Sequence, residues 1–524
     1  MSSLRLSKSR YLTGLQCLKR LWWSVREPQA PELLAGSEAV QLVRGRAVGE
    51  LAQRQVPGGV LLDLPHYALA ERVAATARAL AEGATAVYEA SFEAGGGFVS
   101  VDILERDGNG FVLTEVKSTL DVKVSHLPDV AMQAHVLSSA GLDVTRVEVM
   151  HLNRECRHPD LSNLFVRDDV TTAMQAELAA LPAHVAEMQR VLAEPLPPDV
   201  EPGSHCSVPY PCPFQGRCWP ALPEYHLGSL YRISRKKLQK LTDAGHLTLL
   251  DLPDDFEASK VAKRQIRSAR SGELIIEAGL RAALAKFAEP IAFLDFETVM
   301  PAVPAWPGCG PYDHVPVQLS CHVLMDGELV HHEWLAQGGA DPRPAFAAAL
   351  LAACAGAQTI VAYNAAFELQ RIEALSALCP QLAPALDALC DRIVDLLPIL
   401  RNHVYHPQFQ GSFSLKSVLP ALVEDLSYAG LAIHDGATAA ATLESLLLFS
   451  EALPTTEMAE LRRNLLAYCE LDTLAMGPPP RTTIGAIRNP QLPPVARAPP
   501  PGAPEATKIQ CADSVHTDWS FETG

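Results

Sequence analysis

The stretch VDILERDGNGFVLTEVK, residues 101–117, has two apolar runs separated by Asp107-Gly108-Asn109-Gly110. Branched and aromatic residues on both sides of a glycine-rich turn predict a β-hairpin, with strands over 98–104 and 111–116. Strand period two puts Glu115 and Lys117 on one face, and the hairpin brings Asp102 alongside. Two carboxylates suit a hard divalent cation, with the Val116 carbonyl as a further oxygen ligand. Lys117 would then orient an attacking water or offset charge on a phosphate.

Outward from the hairpin, residues 71–81 read as helix and 86–92 as a strand that turns at Gly95-Gly96-Gly97. Helical periodicity resumes over 130–139, a strand follows over 147–152, and a helix over 185–192 ends at a proline-rich break. Four cysteines bracket this region: Cys17 near the start, then Cys206, Cys212 and Cys218. Three close cysteines can hold three corners of a metal ion or cluster, and the distant fourth completes the sphere. Such a site would tie together the two ends of a unit spanning 1–225.

The whole chain has 524 residues, 48% hydrophobic and 20% charged, which is globular composition and long enough for two domains. A net charge of −17 argues against coating nucleic acid by bulk electrostatics. It leaves room for a local basic path, for which 226–288 offers Arg232, Arg235, Lys236, Lys237 and Lys240, then Lys260, Lys263, Arg264, Arg267 and Arg270. The opposing reading of that connector is solvated helix faces. Gln16, Lys19 and Arg20 interrupt the only apolar stretch near the N-terminus, and the alanine-rich run 345–357 is too short to span a bilayer. A cytoplasmic location without membrane contact is expected, where the twelve cysteines would be thiols and ligands rather than disulfides.

A second α/β unit is expected over 289–476. Its strand 291–296 delivers Asp295 and Glu297 on one face. The segment Val361-Ala362-Tyr363-Asn364 leads into a helix carrying Glu368, and a later helix carries Tyr468 and Asp472, which share a face at i and i+4. Strands over 317–324, 328–334 and 359–363 and helices over 343–355, 414–423, 437–450 and 456–474 complete it. Four carboxylates from three segments are what a two-metal phosphodiesterase needs. Lys416 stands near a helix start as a phosphate contact or a surface lysine, and Asp395 and Asp435 read as supporting or capping residues. His66, His126, His135 and His314 lack ligand spacing. Residues 477–524 are rich in Pro, Gly, Ala and Thr and predict a disordered tail.

With those residues in place, the N-terminal part resembles RecB-like PD-(D/E)xK nucleases, in particular the iron–sulfur subgroup containing the CRISPR adaptation nucleases and AddB. The likeness rests on CLKRLWW, GRAVGELA, VYEASF, VDILE, LTEVKST, the Gln133 helix and the terminal cysteine triplet. It implies a restriction-endonuclease-like fold with Asp102, Glu115 and Lys117 catalytic and Gln133 as the glutamine of a Q-x-x-x-Y motif. It also implies a [4Fe–4S] cluster on Cys17, Cys206, Cys212 and Cys218, with zinc as the alternative. Two positions depart from the pattern. Gly49 stands where the subgroup has histidine, leaving Glu50 or Glu89 to compensate, and Leu137 replaces the tyrosine.

The C-terminal part resembles DnaQ-like 3′–5′ exonucleases of the DEDDy type on an RNase H-like fold, through D-x-E-T, N-x-x-F-E and Y-x-x-x-D in order. That likeness makes Asp295, Glu297, Glu368 and Asp472 ligands for Mg²⁺ or Mn²⁺ and Tyr468 the residue that orients water. Glu368 replaces the usual aspartate. The fusion is similar to a bacterial domain-of-unknown-function family. The expectation is a metal-dependent nuclease with two heads acting on DNA, single-stranded or frayed, in repair, recombination or defence. The alternatives are a 3′–5′ exoribonuclease whose N-terminal domain only grips nucleic acid, and a non-catalytic iron–sulfur nucleic-acid-binding protein.

Overall fold

The computed structural model describes residues 6–34, 38–219, 222–423, 426–449 and 454–477. The proline-rich tail expected over 477–524 lies outside the described residues apart from Gly477. The architecture is mixed α/β, built on two separate sheets. Among the described residues, no helix is long and apolar enough to cross a membrane.

The first sheet has seven strands: β1 (Leu6–Ser7), β2 (Val60–Leu61), β3 (Ala86–Ala94), β4 (Gly97–Asp107), β5 (Gly110–Lys117), β6 (Val144–Leu152) and β7 (Phe165–Asp169). They lie in the order β2-β3-β4-β5-β6-β7, with β1 parallel to the start of β4. The β3–β4 and β4–β5 pairs are antiparallel and β5–β6 is parallel. Gly95 and Gly96 turn the first hairpin with φ of +58° and +80°, the left-handed region in which glycine carries no Cβ penalty. The helix Leu127–Ser139 crosses between β5 and β6. It is apolar nearly all round because it is covered on both sides, by the sheet and by the helices Lys8–Gln16 and Gln175–Ala193. Val130, Met132, Val136 and Leu137 are fully buried there, each contributing about 1.5–3 kcal/mol.

In the segment between the sheets, some of the basic residues are taken up by structure. The segment has its own small core of Leu227, Leu230, Leu249, Leu252, Ala262 and Ile266. In the helix Lys260–Ser271, Arg264 is buried and donates to Glu277 and to the carbonyls of Arg401 and Asn402. Arg267 pairs with Glu277 and Arg270 with Asp254. These three arginines hold structure together instead of facing a ligand. Arg232, Arg235, Lys236, Lys240, Lys260 and Lys263 are exposed. A two-stranded ribbon, β8 (Ile275–Ile276) against β14 (Val404–Tyr405), fastens the segment to the second unit.

The second sheet contains β9 (Ile291–Val299), β10 (Val315–Met325), β11 (Glu328–Leu335), β12 (Thr359–Ala362) and β13 (Ile393–Asp395), in the order β11-β10-β9-β12-β13. The β9–β10–β11 meander is antiparallel, and β12 and β13 continue parallel to β9. As the central strand, β9 is covered on both faces. Ala292, Leu294 and Phe296 pack under the helices Arg343–Ala353 and Ala366–Leu378, while Ile291, Phe293 and Val299 face the other layer. Asp295 and Glu297 fall on that second face, beneath the helix Thr455–Met476.

Candidate metal centres

On the first sheet, the hairpin brings Asp102 next to the Glu115 motif, and the Val116 N–H donates to Asp102 Oδ2 at 2.7 Å. Glu115 is buried and fully engaged. Its Oε1 accepts from Lys117 Nζ at 2.7 Å and from Lys8 Nζ at 2.8 Å, and its Oε2 accepts from Gln133 Nε2 at 2.7 Å. Asp129, one turn before Gln133, accepts from Lys117 at 2.6 Å and from Gln133 at 2.9 Å. The four expected residues therefore meet, joined by Lys8 and Asp129, which the sequence reading did not single out.

Burial pushes the Asp102 carboxyl up to about 8, reinforced by the charge of Glu115 and opposed by Lys8. Burial acts the same way on Glu115, but Lys117 and Lys8 overcome it and hold that carboxylate well below its ordinary range. Lys8 and Lys117 are held above theirs by Glu115 and Asp129 against the effect of burial. Two ammoniums face Glu115 and Asp129, while burial keeps Asp102 a neutral acid at neutral pH, and the Gln133 Oε1 is buried without a partner.

Of the two acids named as stand-ins for the absent histidine, Glu89 is the one at this site. It lies in β3 with φ of +60°, between the Tyr88–Ile103 and Ala90–Val101 pairs of a continuous β3–β4 register and so opposite Asp102, and its charge raises Asp102. A non-glycine residue in that region stores strain of about 1–3 kcal/mol. Arg72 offsets part of its charge at 3.3 Å. Glu50 instead lines the cleft between the helix Glu38–Arg54 and residues 301–305. At Gly49 an added Cβ would meet nothing within 4 Å.

The four cysteines of the bracket are free thiols. Cys17 caps the helix Leu18–Arg26, its Sγ accepting from the Arg20 N–H at 3.5 Å. Gln16 donates to the carbonyls of His205 and Tyr210 at 2.7 Å, binding the N-terminal helix to the triplet. Burial raises Cys212 and Cys218, and in each case the charges of Cys17 and Cys206 add to the shift. Trp23 and Phe214 pack 5.3 Å apart beside the group, and Arg217 lies over both rings. The donor set suits thiophilic iron or zinc. Among the described residues, no three of these sulfurs lie within 4.8 Å of one another, a wider spread than the ~3.8 Å edges of a tetrahedral Zn–S₄ site.

On the second sheet, Asp295, Glu297 and Asp472 offer carboxylate oxygens that all lie within 4.8 Å of one another. Glu368, at the start of the helix Ala366–Leu378, is buried, and its Oε2 has no partner. Burial, with Glu368 as the next cause, pushes Asp295 up to about 7; burial and Asp295 do the same to Asp472. Glu368 also reaches about 7, mainly through burial, and Glu297 is raised well above its usual value by burial and by its two neighbours. Desolvated, mutually repelling carboxylates with an orphaned oxygen concentrate negative charge at one place, and an all-oxygen donor set fits Mg²⁺ or Mn²⁺.

Tyr428 donates to Asp472 Oδ1, and Tyr468 lies 6.2 Å from it, ring centre to ring centre. Burial and the Asp472 charge raise both phenols, so they remain protonated donors. Lys416 places its Nζ 5.0 Å from the Tyr468 ring centre, and its charge eases Asp295, Glu297 and Asp472. Tyr428 escaped the sequence reading because it sits outside every motif. Asp395 and Asp435 act as N-caps of the helices Leu396–His403 and Gly436–Leu448. Underneath, Gln318 donates to the Leu465 carbonyl at 2.7 Å, and Ser320 bonds Thr473 at 2.7 Å. The polar face of β10 thus sets the height of the helix that carries Tyr468 and Asp472.

Among curated proteins nothing matches this chain. A family model described as a domain of unknown function, DUF2779, matches residues 292–414, a span holding Asp295, Glu297 and Glu368 but ending before Tyr468 and Asp472.

Proposed function

We propose that this chain is a metal-dependent nuclease acting on DNA, with a DnaQ-like exonuclease head on the second sheet and a RecB-like head on the first. The observation that carries the reading is the meeting of Asp295, Glu297 and Asp472 within 4.8 Å, with the orphaned Glu368 oxygen and two phenols at the same place. Two sheet arrangements support it. The central β9, with a hairpin on one side and two parallel strands on the other, is the order expected of an RNase H-like core. A helix, three antiparallel strands, a crossing helix and a parallel strand form the core expected of a PD-(D/E)xK nuclease.

Magnesium or manganese held by Asp295, Glu297, Glu368 and Asp472 would polarise the scissile phosphate and acidify the attacking water. The chain's own groups do the rest. Tyr468, kept protonated, donates to and aligns the water. Tyr428 fixes the Asp472 carboxylate. Lys416 supplies a positive charge beside the acids for a phosphate. In the first head, Lys117 and Lys8 would shift from Glu115 toward a phosphate once a cation takes over Asp102 and Glu115. The four cysteines would hold an iron–sulfur cluster that staples the ends of that head.

A second reading is favoured by the saturation of Glu115, whose two oxygens already accept three donors. In it, the first head grips nucleic acid without cutting. A single-stranded DNA oligonucleotide labelled separately at each end, with an RNA counterpart, separates these readings in Mg²⁺ or Mn²⁺. Different parts of the activity lost in Lys117→Ala and in Asp295→Ala mean two enzymes. Loss in Asp295→Ala alone makes the first head a clamp, and a wild type that leaves both nucleic acids intact refutes the proposal.

A further inference from the structure

Beside the carboxylate site, on the same face of the second sheet, lies a cluster of different chemistry. His322 on β10 and His331 on β11 are direct cross-strand partners, with rings stacked 4.4 Å apart and 19° from parallel. Glu470, on the helix Thr455–Met476, reaches over them, and its Oε1 lies 3.8 Å from His331 Nδ1. One ligand atom from each of the three lies within 4.8 Å of the other two.

The hydrogen bonds beneath this cluster fix which ring nitrogens are available. The Thr473 hydroxyl donates to the Glu470 carbonyl at 3.0 Å, so toward its other neighbours it accepts. Ser320 Oγ, 2.7 Å away, donates to it and in turn accepts from His331 Nε2–H at 2.9 Å. His322 Nδ1–H donates to the same threonine oxygen at 2.9 Å. This leaves His331 with its lone pair on Nδ1, toward Glu470, and His322 with its lone pair on Nε2. An imidazole that donates its second N–H to a fixed acceptor is the arrangement that orients metal-binding histidines.

We propose that His322, His331 and Glu470 bind one borderline transition-metal ion, zinc being the cellular candidate, at a site separate from the magnesium or manganese carboxylates. Two imidazole nitrogens and one carboxylate select zinc, cobalt or nickel over magnesium, which prefers oxygen alone. Three protein ligands with a half-exposed Glu470 leave a fourth position to solvent. The ion would clamp the β10–β11 hairpin to the helix that carries Tyr468 and Asp472, making zinc a stabiliser of the neighbouring site's geometry.

The test is zinc bound per full-length chain, in excess Mg²⁺, by equilibrium dialysis and elemental analysis. Wild type is compared with Glu470→Gln, His331→Ala and Cys17→Ser. Glu470 is half exposed and His331 lies on an edge strand, so the two variants keep the fold, which circular dichroism checks. The expected result is one equivalent lost in Glu470→Gln and in His331→Ala and retained in Cys17→Ser, because the thiol site is a separate sink. Cobalt substitution supplies a second readout: a visible band without thiolate charge transfer that persists in Cys17→Ser and disappears in Glu470→Gln. Equal zinc content in wild type, Glu470→Gln and His331→Ala, at any value including zero, overturns the proposal.

Discussion

Glu368→Gln should make the cation-free protein more stable and the second head inactive. The Glu368 carboxyl rises from 4.5 to about 7 in the fold, chiefly because it is buried. Between those values the folded state holds a proton that the unfolded state has released, so stability falls as pH rises from ~4.5 to ~7 and stays low above. At about 1.4 kcal/mol per pH unit, the ionised side chain costs roughly 3 kcal/mol at pH 8. An amide removes that charge at nearly constant shape. Its new buried N–H donors return about 1 kcal/mol of penalty. The net gain of about 2 kcal/mol corresponds to ~4–8 °C in the melting of a unit this size. The assay is thermal unfolding in EDTA at pH 8 and pH 4, followed by tryptophan fluorescence; Trp306 and Trp334 belong to this unit's core clusters. The gain should appear at pH 8 and vanish at pH 4. With Mg²⁺ or Mn²⁺ present, exonuclease activity should fall by ~10²–10³-fold, as when a transition-state stabiliser is removed. A variant less stable than wild type at pH 8 in EDTA, or one that keeps the part of the activity lost in Asp295→Ala, would refute this account of the carboxylates.

Three further outcomes are expected from contacts elsewhere. Arg44→Ala strands the buried Glu444 carboxylate and should cost about 3–5 kcal/mol in urea unfolding, most of it recovered when Glu444 is also made Leu. Cys17→Ser keeps a good N-cap on the helix Leu18–Arg26, so loss of visible absorbance from anaerobically purified protein, with that helix intact, would report the missing ligand rather than a frayed helix. Lys8→Met removes one of two ammoniums from Glu115. If the first head cuts, the activity insensitive to Asp295→Ala should drop while the Asp295-dependent part stays; an unchanged profile would mark Lys8 as structural.

The features legible in the sequence were local in chain distance. Strand period two put Asp295 with Glu297 and Glu115 with Lys117. The hairpin turn placed Asp102, and helical spacing paired Tyr468 with Asp472. The strands ran longer than read, because β4 continues to Asp107 through exposed polar residues and β5 continues to Lys117, which is held by Glu115 and Asp129. The features that the sequence withheld come from distant chain segments. Lys8 is 107 positions from Glu115, and Tyr428 is 44 from Asp472; neither belongs to a repeating pattern. His322 and His331, inside the strands read over 317–324 and 328–334, were not singled out, because only the β10–β11 register makes them partners. Arg264 misled for a related reason. Its helix is amphipathic with the arginine on the inner face, where Glu277 and two carbonyls replace water. The short β13 and the helix Leu396–His403 were missed because a three-residue strand carries too little periodicity to be read.

The two candidate centres are joined by more than a connector. Directly after Lys117, the Ser118 carbonyl accepts from the Tyr312 hydroxyl on the segment linking β9 to β10. Val116, between the two residues of the first motif, packs with Val48, Leu152, Ala302 and Val303, the last two lying just beyond the end of β9. Backbone pairs reinforce this seam, His158 N–H to the Cys309 carbonyl at 3.0 Å and Gly308 N–H to the His158 carbonyl at 2.9 Å. The strand that carries Glu115 and Lys117 and the strand that carries Asp295 and Glu297 therefore end against one apolar cluster. The helical segment 227–269 is itself fastened to the second sheet's unit by Arg264 and the β8–β14 ribbon. It is not the tether that sets the distance between the heads; the seam is. A nucleic-acid strand passing from one centre to the other would follow a path fixed by packing, and its length would be set by the seam rather than by the reach of a flexible linker.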